Sequence, residues 1–108
     1  MAFEVLQITP GDGKTYPQPG QTVSMHYVGK LESGKKFDSS IDRGRPFEFV
    51  LGRGSVIRGL DEGARKISLG EKAVINITSD YAYGERGFPG FVPPNSNLIF
   101  EVEMLEFK

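Results

Sequence analysis

Four stretches of the chain alternate apolar and polar positions. Val23, Met25 and Tyr27 alternate with Thr22, Ser24 and His26, and Phe47, Phe49 and Leu51 share one face of the next stretch. Ala73, Ile75 and Ile77 alternate with Val74, Asn76 and Thr78, while Leu98, Phe100, Val102 and Met104 share a face with Glu101 and Glu103 between them. A period of two marks a strand with one face on a core and the other in water, the habit of antiparallel sheets. An apolar-leaning extended segment from Phe3 to Ile8 is halted by Pro10-Gly11-Asp12-Gly13, and Ser33-Gly34 turns the chain into Lys36-Phe37-Asp38. Only one segment has helical spacing: Ile57, Leu60, Ala64 and Ile67 recur on one side, with Arg58, Asp61, Glu62, Arg65 and Lys66 largely elsewhere. Gly59 and Gly63 within it each cost up to ~1 kcal/mol against Ala. They either let the helix lie close to a sheet or simply weaken it. The pattern predicts an α+β fold, an antiparallel sheet of about five strands wrapped on one short α-helix.

Composition narrows the class. The 108 residues are 38% apolar and 25% charged, which suits one globular domain over residues 1–108 with a single core. Net charge is −1 and no basic run exceeds Lys35-Lys36, so neither nucleic acid nor an anionic membrane is an expected partner. There is no cysteine, which excludes disulfides and thiol chemistry. The opening Met1-Ala2-Phe3-Glu4-Val5 lacks the basic flank and apolar run of a signal peptide, and no apolar stretch approaches ~18 residues. A soluble cytoplasmic location, or a nuclear one, is expected. Fourteen Gly and seven Pro imply many turns and short elements.

Motifs for common chemistries fail on inspection. Gly13-Lys14-Thr15 has the tail of a phosphate-binding loop, but Ile8 stands where its first Gly belongs. Gly52-Arg53-Gly54 lies between strand and helix, yet Ile57 occupies the third glycine position of a dinucleotide fingerprint. His26 is the sole histidine, and no carboxylates cluster to complete a metal site around it. No Gly-x-Ser-x-Gly elbow is present. An enzyme of this composition is expected to work without a strong nucleophile, a metal or a cofactor.

The aromatic inventory is lopsided: eight Phe, four Tyr and no Trp. Tyr27 lies on the inward face of its strand, so its hydroxyl needs a buried partner. Asp38 follows Phe37 at a strand end, and its carboxylate also needs partners, such as Arg43 or Tyr27. Phe88 and Phe91 fall in the Gly- and Pro-rich loop from Gly84 to Pro94, with Val92 beside them. Together these residues suggest a concave apolar site with few polar handles.

The runs VSMHYVGKLESGKKFDSSIDRGRPFEFVLG, VIRGLDEGARKISLGEKA and DYAYGERGFPGFVPPNSNLIFEVEML closely resemble the FKBP family of macrolide-binding prolyl isomerases, over essentially the whole chain. The resemblance implies peptidyl-prolyl cis–trans isomerase activity on proline-containing peptides and proteins, with no covalent intermediate. It implies a pocket walled by Tyr27, Phe37, Phe47 and Phe100, with Asp38 facing it and held by Tyr27 and Arg43. Val56, Ile57, Tyr83 and Phe91 stand around the rim, and Phe88 and Val92 join them as ligand-contacting positions. The Ile57 N–H and the Tyr83 phenol are implied to hydrogen-bond ligand carbonyls. Tacrolimus and rapamycin are the implied macrolides, and calcineurin or TOR kinase the implied partners of the drug complexes. One departure stands out: the family usually places Trp at the pocket floor, where this chain has Leu60. The alternative to an isomerase is a non-enzymatic binding module whose turnover Leu60 has weakened. Phe88-Pro89-Gly90 has the form of a substrate, so one molecule's loop is a possible guest for another's pocket, giving weak self-association.

Overall fold

The alternating stretches form strands of one antiparallel sheet in the computed structural model, which describes residues 2–108. In chain order these are β1 (Phe3–Thr9), β2 (Thr22–Leu31), β3 (Lys36–Ser39), β4 (Phe47–Val50), β5 (Lys72–Ile77) and β6 (Leu98–Phe107). Helix α1 (Ser40–Arg43) is a single turn between β3 and β4, and α2 (Arg58–Ala64) is the main helix. The sheet runs β1-β5-β6-β2-β3, with β4 also paired to β2. The two short strands share β2: β4 pairs its first half, from Thr22↔Val50 to Met25↔Phe47, and β3 its second, from Val28↔Ser39 to Lys30↔Lys36. Six strands therefore stand where about five were expected, because Lys36–Ser39 pairs although Phe37 is its only apolar residue and no alternation marks it.

The inward faces are those the alternation marked. Val23, Met25, Leu51, Ile75, Ile77, Leu98 and Met104 are fully buried, and Phe49, Phe100 and Val102 nearly so. Ala64 and Ile67 of the helical segment complete the same cluster. The regular helix ends at Ala64 rather than Ile67, and tighter three-residue turns, Lys66 N–H to Gly63 O and Ile67 N–H to Ala64 O, carry the chain onward.

Two glycines fix how closely α2 lies on the sheet. A Cβ at Gly59 would stand 2.4 Å from Ile77 Cγ2, and one at Gly63 3.1 Å from Ile75 Cδ1. The glycines thus permit close packing on β5, at the cost of helix propensity. Space also decides Gly29, which pairs with both Asp38 and Phe100. A side chain there would come within 2.8 Å of the Phe37 ring. No helix among the described residues is long and apolar enough to cross a membrane.

Candidate functional site

Aromatic side chains from β2, β4 and β6 converge at the end of the sheet that faces α2. The Tyr27 ring meets Phe47 edge-on at 5.4 Å between centroids and Phe100 at 5.7 Å. These rings open onto a cavity of about 220 Å³, also lined by Asp38, Ser55, Val56, Ile57, Leu60 and Tyr83. Leu60, on the inward face of α2, is only 3% exposed.

The polar handle is a closed triangle. The Tyr27 hydroxyl donates to Asp38 Oδ2 at 2.6 Å and accepts from Arg43 Nη2 at 3.0 Å. Arg43 Nη1 donates to Asp38 Oδ1, which also accepts from the Ser39 N–H at 2.9 Å. Both contacts expected of Asp38 are therefore made. Local structure places the triangle. The Ser39 hydroxyl caps α1 by accepting from the Asp42 N–H at 3.1 Å, which sets Arg43 one turn beyond Asp38. Ser40, fully buried, takes the Tyr27 N–H on its Oγ at 2.8 Å, with His26 Nδ1 2.9 Å from the same atom. The lone histidine thus braces β2 from behind rather than facing the cavity.

Burial, reinforced by the hydrogen bond to Asp38, pushes the Tyr27 phenol above its ordinary pKa. Burial and then the negative charge of Asp38 do the same to Tyr83. Both remain neutral O–H donors at ordinary pH. Tyr27 uses its proton internally. The Tyr83 hydroxyl and the Ile57 N–H have no hydrogen-bond partner among the described residues. Ile57 stands just before α2, where backbone N–H groups have no intrahelical acceptor. An apolar chamber with two free donors at its mouth suits a ligand carrying carbonyl oxygens beside an apolar ring.

Other predicted residues lie around this chamber without lining it. Phe37 packs edge-on against Phe100 at 5.8 Å. Arg43 reaches the site through Asp38 and Tyr27. Phe88 stacks on Tyr83 at 5.3 Å and Phe91 on Phe88 at 4.9 Å, a three-ring ladder beside the mouth in which Phe88 and Phe91 are exposed. Val92 turns into the core, and its backbone exchanges two hydrogen bonds with Phe88 that hold the loop. Ser55 lines the cavity unannounced, since a small residue in a Gly-rich turn has no periodicity to mark it. Among the described residues, no group of three His, Cys, Asp or Glu side chains is placed to hold a metal ion.

Comparison with known proteins agrees with this geometry. Residues 13–105 match the family model described as FKBP-type peptidyl-prolyl cis-trans isomerase. FK506-binding protein 1 of Yarrowia lipolytica is 61% identical, over 97% of both chains. A peptidyl-prolyl cis-trans isomerase of Schizosaccharomyces pombe is 57% identical, over 97% of this chain and 94% of its own. Peptidyl-prolyl cis-trans isomerase FKBP1A of Xenopus laevis is 53% identical over the full length of both. An aromatic chamber with two unpartnered donors, and relatives of this similarity, lead to one conclusion: the chain belongs to the FKBP-type peptidyl-prolyl cis-trans isomerase family.

Proposed function

We infer that this chain is a peptidyl-prolyl cis–trans isomerase that takes X-Pro segments of peptides and proteins into its aromatic cavity, and that FK506-type macrolides bind there too. The observation that carries the reading is the pairing of apolar walls with two free donors, Ile57 N–H and Tyr83 O–H. A module that only binds is not favoured, because relatives similar over the whole chain bear the name of isomerases.

Rotating an amide costs ~18–20 kcal/mol because resonance is lost at the twisted geometry. The planar amide is also the more polar form. An apolar chamber therefore disfavours it more than the twisted one, and walls shaped to the twisted bond act in the same direction. Uncatalysed rotation takes roughly 10–100 s. A ~1000-fold acceleration requires about 4 kcal/mol, within reach of oriented contacts and desolvation. No proton needs to move. In this scheme Tyr27, Phe47, Leu60 and Phe100 enclose the proline ring, and Phe37 backs Phe100. The Ile57 N–H and Tyr83 hydroxyl hold peptide carbonyls. Asp38, fixed by Arg43, sets the polarity beside the twisting carbonyl, and the Phe88–Phe91 ladder extends the apolar rim. A protease-coupled assay on Leu-Pro and Phe-Pro peptides tests this. A wild-type rate no faster than the uncatalysed one would remove the enzyme reading.

The same reading treats residues 1–108 as one isomerase domain, supported by a single buried cluster, and assigns it to the cytoplasm. It extends to drug-dependent contact of the macrolide complex with calcineurin or TOR kinase. It also extends to weak self-association, supported by the exposure of Phe88, Pro89 and Gly90. Replacing Pro89 with Gly is expected to lower concentration-dependent association in sedimentation; an unchanged profile argues against that contact.

A further inference from the structure

Beside the isomerase chamber lies a second, wider cavity of about 610 Å³, lined by Tyr27, Arg43, Arg45, Pro46, Phe47 and Glu48. Tyr27 and Phe47 line both cavities, so the two are separated by a single pair of side chains. One extended residue spans ~3.3–3.6 Å. A peptide with its proline in the chamber therefore brings a neighbouring side chain over the second cavity within a residue or two.

The charges of this cavity are unequal in availability. Arg43 is committed to Asp38 and the Tyr27 hydroxyl. Arg45 is exposed and makes no ion pair among the described residues. Glu48 is the only lining carboxylate. Side chains alternate along β4, so Glu48 leaves the strand on the face opposite Phe47; it lines the second cavity but not the chamber. Arg45 is also presented from a fixed backbone. Its N–H donates to Ser40 O, Gly44 closes α1 in the left-handed conformation at φ 77°, and Pro46 stiffens the next residue.

We propose that Arg45 forms a subsite for an acidic side chain flanking the proline, so that the enzyme favours X-Pro bonds with a nearby Asp or Glu. The proposal rests on the isomerase reading and adds a substrate class to it. A guanidinium suits this role because its fixed fork of donors matches a carboxylate. Its exposure sets the scale, since ion pairs of this kind shift an equilibrium by about two- to fivefold.

The test compares peptides that share a Leu-Pro core and carry Glu or Lys, either just before Leu or just after Pro. Cis–trans exchange is measured by NMR, which avoids the sequence preference of a coupling protease. The quantity read is the Glu-to-Lys ratio of kcat/KM within each protein, so any general loss of rate in a variant divides out. At low salt the wild-type ratio should exceed one by about two- to fivefold at one position and shrink as salt is raised. Arg45→Gln should bring it near one, and Arg45→Glu should invert it. A wild-type ratio of one at both positions, or a preference that survives Arg45→Glu, would overturn the subsite while leaving the isomerase reading standing. Failure to accelerate exchange in any of these peptides would overturn both.

Discussion

Single side chains decide the chemistry of this chamber, and Tyr27 illustrates how. Its ring is a wall and its hydroxyl is the hinge of the Asp38–Arg43 triangle. Tyr27→Phe keeps the wall and is expected to cost about 1 kcal/mol, because a hydrogen bond is lost while Asp38 and Arg43 remain within reach of water. The substitution also changes behaviour in alkali. A phenol whose pKa is raised on folding stabilises the protein fully below the unfolded value of ~10, and that stabilisation is lost as pH rises past it towards the folded value. Urea melts at neutral pH and above pH ~10 should therefore show a shallower alkaline loss in Tyr27→Phe than in wild type. Equal losses would deny Tyr27 its part. Leu60 is the other decisive residue. A larger aromatic floor should tighten tacrolimus binding, so Leu60→Trp is expected to lower Kd by about three- to tenfold. A titration showing unchanged or weaker affinity would mean that Leu60 already completes the floor. The inward aromatics Tyr27, Phe47 and Phe100 were legible in sequence because alternation assigned them a face. The Asp38 partners were legible because a hydroxyl and a carboxylate near a core must be satisfied. Ser55 and the inward turn of Val92 were not, since neither lies in a periodic stretch.

Elements were legible where alternation marked a buried face. The ten-residue strands β2 and β6 carry enough alternation to fix which face is buried. In β1 the pattern is blurred, because Leu6 and Ile8 are exposed on the outer face while Phe3 and Val5 turn inward. Strand β3 has Phe37 as its only apolar residue and so shows no alternation, and helix α1 is a single turn. The one signal for α1 was Ser39 three residues ahead of Asp42, a capping pattern without an apolar run behind it. The double glycine of α2 left two readings open in sequence, and the contacts with β5 decide for close approach. That decision is testable at both sites. Gly59→Ala drives a Cβ into the branched Cγ2 of fully buried Ile77 and is expected to cost about 1–3 kcal/mol. Gly63→Ala meets Cδ1 and Cγ2 of Ile75 at the greater distances of 3.1 and 3.2 Å, where a shift of a few tenths of an ångström relieves the contact, so the gain in helix propensity of up to ~1 kcal/mol largely offsets the strain. Denaturant melts should rank Gly59→Ala well below Gly63→Ala; the reverse order would mean that the helix is free to lift from the sheet.

For the whole molecule, the sheet supplies a rigid back wall, α2 the floor, and loops the rim with its free donors. Catalysis in this arrangement needs no ionisable acid or base, so the rate should be flat through the neutral range, where Tyr27 and Tyr83 both stay protonated. The fold was largely readable because each strand's pattern agrees with its place in the sheet. The substrate was not, since an apolar chamber carries no mark of proline in its residue types; family likeness supplied it. The most direct test is NMR exchange between the cis and trans signals of a Leu-Pro peptide at neutral pH, with tacrolimus titrated in. The account predicts marked acceleration by the wild-type protein that disappears at one equivalent of macrolide. Absent acceleration, or acceleration that persists at saturating tacrolimus, would contradict it.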